Sequence, residues 1–289
     1  MEILRDIPAL RAWRRGKEAG GTRVGFVPTM GNLHAGHRAL VDNARRCADA
    51  VIVSVFVNPL QFDDPDDLDR YPRTEEDDIA TLEQVGVDAV FLPTEGVLYP
   101  HGQDDIARVD PGSLGDRLEG AARPGHFVGV ATVVAKLFNL VRPEVAVFGE
   151  KDAQQVAVIR RMIADLDMDL ELVIEPTRRE SDGLAISSRN RFLDDEQRRR
   201  APAVYRTLER AAEALAGGHA VTATLAEARQ RLVRRGFGVD YLVYVDDERF
   251  EEQARPVPRG RLLVAARLGR VRLIDNLAVH LPSAGAGGS

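Results

Sequence analysis

Two histidines, His34 and His37, lie three residues apart in the run Pro28-Thr29-Met30-Gly31-Asn32-Leu33-His34-Ala35-Gly36-His37. A short apolar run, Val24 to Val27, precedes them, and Leu40, Val41, Ala44 and Cys47 follow at helical spacing. This pattern describes a strand that turns into a helix through a loop holding two glycines and two imidazoles. The first turn of such a helix has unpaired backbone N–H groups and a partial positive charge, a natural seat for phosphate. With the helix starting near His34, both rings fall on one face at that seat. A P-loop is set aside although Gly31 and Gly36 have its separation. His37 stands in place of the lysine, and Arg38 in place of the hydroxyl residue that would hold magnesium. A zinc site on the two histidines needs a third protein ligand, and none follows nearby at ligand spacing. A pair of imidazoles touching nucleotide phosphates fits better, since imidazole can donate hydrogen bonds and supply a proton as pyrophosphate leaves. The plain alternative is two satisfied surface histidines. The glycines around them, which let backbone approach a ligand closely, count against it.

Three more groups could serve the same chemistry. Gly149-Glu150-Lys151-Asp152 falls between a strand end and a helix start, where Lys151 would reach phosphates. Its ordinary reading is an exposed lysine followed by an Asp152–Gln155 helix cap. Ser187-Ser188-Arg189 offers two hydroxyls and a guanidinium on a loop that could close over a triphosphate. Gln61 and Gln155 stand at the ends of two strands, where amides could grip a small hydroxy acid by its hydroxyl and carboxylate. Taken singly, each is an ordinary surface amide. The acids Glu75, Glu76, Asp77 and Asp78 follow a Thr74 cap and are read as serving the helix dipole rather than a metal.

The elements that must position these residues alternate. Residues 2 to 20 suggest a short helix ahead of the first strand. The β-branched run Ala50 to Val57 reads as a strand buried on both faces and ends in Asn58-Pro59-Leu60-Gln61-Phe62. A helix closed by Gly86, a strand at Ala89 to Leu92 and a long irregular region to about Arg123 come next. A buried helix from Phe127 to Leu140, a strand at Val145 to Phe148, a helix with Val156, Ile159, Ile163 and Leu166 inward, and a strand from Leu170 to Glu175 complete the series. This order predicts an α/β fold with a doubly wound, Rossmann-like parallel sheet over residues 1–176. The Gly-x-Gly-x-x-Gly dinucleotide fingerprint is missing after the first strand, so a dehydrogenase is not indicated. Past Pro176 the pattern predicts a smaller α+β domain over 177–289. It has a long arginine-rich helix from Leu193 with an Asp194–Gln197 capping box, a helix within 222–235, and strands at 239–245, 261–267 and 271–274. The Gly/Ala/Ser tail near 283–289 is expected to fray.

The bulk of the chain narrows the function. Its 289 residues are 44% hydrophobic with a net charge of −6, which argues against nucleic acid or an anionic membrane as main partner. The single cysteine, Cys47, suits a reducing compartment, and no apolar run reaches membrane-spanning length. A cytoplasmic protein is expected, as there is no signal-peptide core at Met1 to Arg5.

Taken in order, five motifs resemble those of the pantothenate synthetases (pantoate–β-alanine ligases) of the His-x-Gly-His nucleotidyltransferase superfamily. They are residues 28–37, Phe-Val-Asn-Pro-x-Gln-Phe at 56–62, Tyr-Pro-Arg-Thr at 71–74, Phe-Gly-Glu-Lys-Asp at 148–152 with Gln154-Gln155, and Ser-Ser-Arg-Asn at 187–190. Leu263 to Arg267 and Asp275-Asn276 are also similar to the family. The resemblance implies ATP-dependent condensation of pantoate with β-alanine to pantothenate, AMP and pyrophosphate through a pantoyl adenylate. It implies that Met30, Gly31, Asn32, Leu33, His34, Ala35, Gly36 and His37, Gly149, Glu150, Lys151 and Asp152, and Ile186, Ser187, Ser188 and Arg189 bind ATP, with the backbone near Arg178 at adenine. By the same resemblance His37 is the proton donor beside His34, while Lys151, Ser187, Ser188 and Arg189 stabilise phosphate charge. Gln61 and Gln155 hold pantoate, and Gln61 borders the β-alanine site. Magnesium accompanies the triphosphate, its protein ligands unknown, and the protein is expected to be a homodimer. Leu60 and Ile186 stand where the family often has methionine, Ala153 where an aromatic is frequent, and Arg178 where an apolar residue is usual.

Overall fold

The computed structural model describes residues 1–281; the tail expected to fray lies outside the described residues. The chain divides into two compact units, one of Met1–Glu150 with Gln154–Pro176, the other of Lys151–Ala153 with the chain from Thr177 onward.

The first unit is built on six parallel strands: β1 (Glu2–Leu4), β2 (Val24–Thr29), β3 (Ala50–Val55), β4 (Ala89–Phe91), β5 (Val145–Gly149) and β6 (Glu171–Glu175), in the order β1-β4-β3-β2-β5-β6. Successive side chains of a strand point to opposite faces. Here Phe26, Ile52, Ala89, Phe91, Ala146 and Phe148 pack into one core, while Val27, Val51, Val53, Val90, Val145 and Val147 pack into another on the reverse face. The first core is closed by the helices Ile7–Ala19 and His126–Val141, the second by Ala35–Cys47 and Glu75–Val85. Twelve of the sixteen residues of His126–Val141 are buried, which explains a helix that is apolar almost all round. Arg14 binds the carbonyls of Val141 and Arg142 at its end, satisfying groups the last turn leaves open.

From β2 the chain winds outward through β3 to β4, then returns to β5 on the other side of β2. The crevice at the carboxyl ends of β2 and β5 is the switch point where open α/β sheets bind ligands. The His34–His37 loop leaves β2, Asn58–Gln61 leaves β3, and Gly149-Glu150 leaves β5.

The second unit is a three-stranded antiparallel sheet, β7 (Gly238–Asp246), β8 (Arg259–Leu268) and β9 (Val271–His280). Leu208, Ala211 and Leu215 of the helix Ala203–Ala216, and Ala228 and Leu232 of Val221–Arg234, pack into one core with Leu242, Tyr244, Leu262 and Val264.

Several expectations need correction. Leu166, expected inward, is 51% exposed just past the helix Ala153–Asp165, and the last strand runs on to His280 rather than ending at 274. The segment before β2 is not a helix alone, because Glu2–Leu4 forms an edge strand paired with Ala89–Phe91. The arginine-rich helix from Leu193 is two helices, Asp195–Arg200 and Ala203–Ala216. Pro202 has no N–H to give to the Arg198 carbonyl, and the ladder stops there. The Asp194–Gln197 capping box forms as the sequence predicts. The region from Leu92 to Arg123 holds two short α-helices, Glu95–Leu98 and Glu119–Ala122, and a 3-10 turn, Gly112–Leu114.

Candidate active site

The histidines cap their own helix. His34 is the N-cap of Ala35–Cys47, in extended conformation; its Nδ1 accepts Gly36 N–H at 3.1 Å, and its own N–H donates to His37 Nδ1 at 3.3 Å. This is a capping box made of two imidazoles, with ring centroids 4.1 Å apart. A backbone N–H can only donate, so both Nδ1 atoms accept, and each neutral ring carries its proton on Nε2. Each imidazole thus donates only through Nε2–H. A Cβ at Gly36 would stand 2.9 Å from His34 Cε1 and 3.0 Å from His34 Nδ1, so a side chain there displaces the capping ring.

The loop before the cap has a left-handed backbone at Gly31 (φ 80°) and Asn32 (φ 52°), and one carboxylate holds it there. Asp78, only 2% exposed, accepts Asn32 N–H at 2.9 Å, Leu33 N–H at 2.7 Å and the Thr74 hydroxyl at 3.1 Å. A Cβ on Gly31 would meet Asp78 Oδ2 at 2.8 Å. Asp78 is therefore more than a dipole partner for its helix. Thr74 occupies the N-cap position but caps no backbone group; its hydroxyl serves Asp78. The apolar register of this helix, with Asp78 four residues before buried Leu82, was the available sign that this acid faces inward.

At the carboxyl end of β3 the buried Asn58 joins three groups. Its Nδ2 donates to Gln61 Oε1 at 3.1 Å and to Gly129 O at 3.2 Å, and its Oδ1 accepts the Tyr99 hydroxyl at 2.8 Å. Burial, and after it the charge of Glu95, pushes the Tyr99 hydroxyl above its ordinary range, so it stays a protonated donor. Gln61 Nε2 lies 2.9 Å from Met30 Sδ, which brings the amide against the histidine loop. The main-chain carbonyl of Gln61 accepts Arg123 Nη2 at 3.2 Å and lies 2.7 Å from His126 Nδ1. Burial works against the charge on Asp63, but the Arg123 guanidinium, 3.0 Å away, holds that carboxyl below its ordinary range. Gln155 is half-buried in the first turn of Ala153–Asp165. Its neighbour Gln154 is spent on structure, binding Leu114 O, Arg117 O and Glu119 N–H.

The remaining nominated residues lie in or next to the second unit. Lys151 Nζ is 3.8 Å from the exposed Asp152, and the Lys151 carbonyl accepts Asn276 Nδ2 at 3.0 Å. Asn276 follows Asp275, whose carboxylate takes a bidentate bond from Arg179 at 2.7 and 2.9 Å. Burial raises the Asp275 carboxyl while Arg179 opposes the rise. Arg178 O accepts Ile186 N–H at 2.9 Å, tying the two proposed adenine and loop positions together. Ser187 caps a short 3-10 turn, Ser188–Phe192, through Arg189 N–H at 3.3 Å, and Asn190 Nδ2 holds Ala185 O at 2.9 Å. Arg189 is exposed.

Asp78, Asn58, Tyr99, Arg123, His126 and Asn276 were not singled out as site residues from sequence. Asn58 stands inside a quoted motif, whereas Tyr99 and Arg123 meet Asn58 and Gln61 only through the fold.

The chain matches the model of the pantoate–β-alanine ligase family over residues 2–278. It is 52% identical over 281 residues to a pantothenate synthetase of Thioalkalivibrio sulfidiphilus, covering 96% of each chain. It is 50% identical to one of Pseudomonas aeruginosa, over 97% of this chain and all of that one. A crystal structure of pantothenate synthetase from Thermus thermophilus superposes with a TM-score of 0.89 at 46% identity, over 97% of this chain and 100% of the other. A pantoate–β-alanine ligase from Francisella tularensis, complexed with βγ-ATP and β-alanine, gives 0.80 at 35% identity, over 96% and 97%. With a matching family model across nearly its whole length and relatives at half identity, this chain belongs to the pantoate–β-alanine ligase family.

Proposed function

We propose that this member of the pantoate–β-alanine ligase family makes pantothenate from pantoate, β-alanine and ATP through a pantoyl adenylate. A carboxylate is a poor acylating agent, so the pantoate carboxylate first attacks the α-phosphorus, and the bond to pyrophosphate breaks. The β-alanine amine then attacks the acyl carbon, the bond to AMP breaks, and the amine loses a proton as the amide forms. Charge builds on the departing pyrophosphate. The Nε2–H groups of His34 and His37, with His37 as proton donor, and Lys151, Ser187, Ser188 and Arg189 stabilise it. The loop from Met30 to Ala35, and Gly149, Glu150 and Asp152, bind ATP, with Arg178 and Ile186 at the nucleotide. Gln61 and Gln155 hold pantoate. The adenylate is reactive toward water and has to be kept from it until the amine attacks.

Magnesium comes with the triphosphate. Among the described residues no group of three or more His, Cys, Asp and Glu could hold a metal ion, and magnesium bound by phosphate oxygens and water needs no such cage. Among the described residues no helix is long and apolar enough to cross a membrane. Cytoplasmic location and a homodimer rest on the resemblance and the composition.

The observation that carries this reading is the reciprocal histidine cap at the carboxyl end of β2, which fixes both imidazoles as Nε2–H tautomers at a helix N-terminus. The test is product stoichiometry with ATP, magnesium, pantoate and β-alanine: AMP, pyrophosphate and pantothenate in equal amounts are expected. ADP and phosphate in their place would overturn the adenylate route, and no turnover with any acid would make the chain a nucleotide-binding regulator.

A further inference from the structure

Asn58 is 1% exposed, Tyr99 3% and Gln61 8%, so the row Tyr99–Asn58–Gln61 is a buried polar chain whose direction can be worked out. Two backbone groups set it. Gly129 O can only accept, and it lies 3.2 Å from one end of the Asn58 amide; Leu60 N–H can only donate, and it lies 3.4 Å from the other. The end at Gly129 is therefore Nδ2 and the end at Leu60 is Oδ1. Nδ2 also donates to Gln61, so the Gln61 atom it meets is Oε1. The Nε2 of Gln61 is then turned away from Asn58, beside Met30 Sδ. Nε2 carries two N–H groups, and among the described residues Met30 is its hydrogen-bond partner. The remaining N–H is what Gln61 has to offer a ligand.

We infer that Tyr99 is a positioning residue for the acid substrate. Its hydroxyl anchors Asn58, and Asn58 holds Gln61 with a donor outward. The pocket then selects a ligand atom that accepts, a carboxylate oxygen or a hydroxyl lone pair of a hydroxy acid. This rests on the reading that Gln61 binds pantoate. The Leu60 N–H contact is long, so the Tyr99 hydroxyl at 2.8 Å is the main bond on Asn58 Oδ1. Its removal loosens the amide without touching the histidine cap, whose bonds do not involve it.

The test is calorimetric binding of pantoate and, separately, of ATP-Mg to the full chain and its variants. Tyr99→Phe should weaken pantoate about tenfold, the size of one lost buried hydrogen bond, and leave ATP within about twofold. A second variant, Gln61→Glu, keeps the shape but replaces the outward donor by an oxygen; it should weaken pantoate by more than Tyr99→Phe does, with ATP again little changed. Tyr99 acting only as a packing residue would weaken both ligands alike or neither, and either result overturns the proposal. Should Tyr99→Phe not fold, Asn58→Asp decides. It sets an oxygen against Gly129 O and Gln61 Oε1, and normal pantoate binding by that variant overturns the relay. Failure of the unaltered protein to bind pantoate at all would instead refute the assignment of Gln61 to the acid pocket.

Discussion

Replacing Asp78 by asparagine tests whether a single buried carboxylate shapes the loop proposed to bind the nucleotide. Asparagine has the same outline but one acceptor oxygen, while Asp78 serves Asn32 N–H and Leu33 N–H with separate oxygens. Turned one way, the amide sets its NH2 against Leu33 N–H; turned the other, against Asn32 N–H, where the Thr74 hydroxyl can rotate to accept but the backbone cannot. One partly buried N–H is left unpaired in either case, a cost of about 1–3 kcal/mol. That cost appears in one of two places. If the loop keeps its left-handed path at Gly31 and Asn32, stability falls. If it relaxes so that the N–H reaches water, ATP must re-form it, and binding falls. Urea unfolding and initial rates against ATP, at saturating pantoate and β-alanine, measure the two parts. Their sum should reach about 1–3 kcal/mol, and if all of it falls on kcat/KM for ATP the loss is about 5- to 150-fold. Glu76→Gln, an exposed acid in the same first turn, controls for the helix dipole. Unchanged stability together with unchanged ATP kinetics in Asp78→Asn, or equal effects of Glu76→Gln, would refute the clamp.

His37→Ala should slow pyrophosphate release in a single turnover by about 2.7–4 kcal/mol, the loss seen when one charge-stabilising donor is deleted, while the circular dichroism spectrum stays native. Gly36→Ala should lower kcat/KM for ATP, because the new Cβ pushes on the His34 ring that caps the helix, yet change unfolding stability by less than about 1 kcal/mol, the scale of helix propensity; intact ATP kinetics would show that the cap tolerates displacement. The Asp63 carboxyl is held below its ordinary range by Arg123, so the pair stabilises the fold above the unfolded carboxyl pKa of about 3.9 and that contribution is lost as pH falls through the lower folded value. The stability difference between the unaltered protein and Asp63→Asn should therefore shrink below about pH 4 in thermal unfolding, from a starting size of no more than about 1 kcal/mol for so accessible a pair.

What could be read without coordinates was what is written locally. The alternation of Val51 and Val53 with Ile52, and the helical spacing of Leu40, Val41 and Ala44, carry the sheet and the helix that follow from them. The histidines, Lys151 and the Ser187 to Arg189 run stood out by type and by resemblance. Contacts between distant segments left no such mark. Glu2–Leu4 becomes a strand only because Ala89–Phe91 is there to pair with it. The register of Asp78 with Leu82 marks an inward acid, but nothing local marks the loop at Asn32, 46 residues earlier, as what it binds. Tyr99 meets Asn58 across 41 residues, and nothing in the sequence around either announces the other. Pro202 was legible as a helix breaker, but the arginines before it and the apolar face after it read as one continuous helix.

The central claim is that the acid is activated before the amine is needed. Enzyme in amounts comparable to substrate, mixed with isotope-labelled ATP, magnesium and pantoate but no β-alanine, measures it directly. About one pyrophosphate per site should appear in a burst, with pantoyl adenylate retained on the protein, and β-alanine added later should release AMP and pantothenate. Pyrophosphate that appears only once β-alanine is present would contradict the stepwise account.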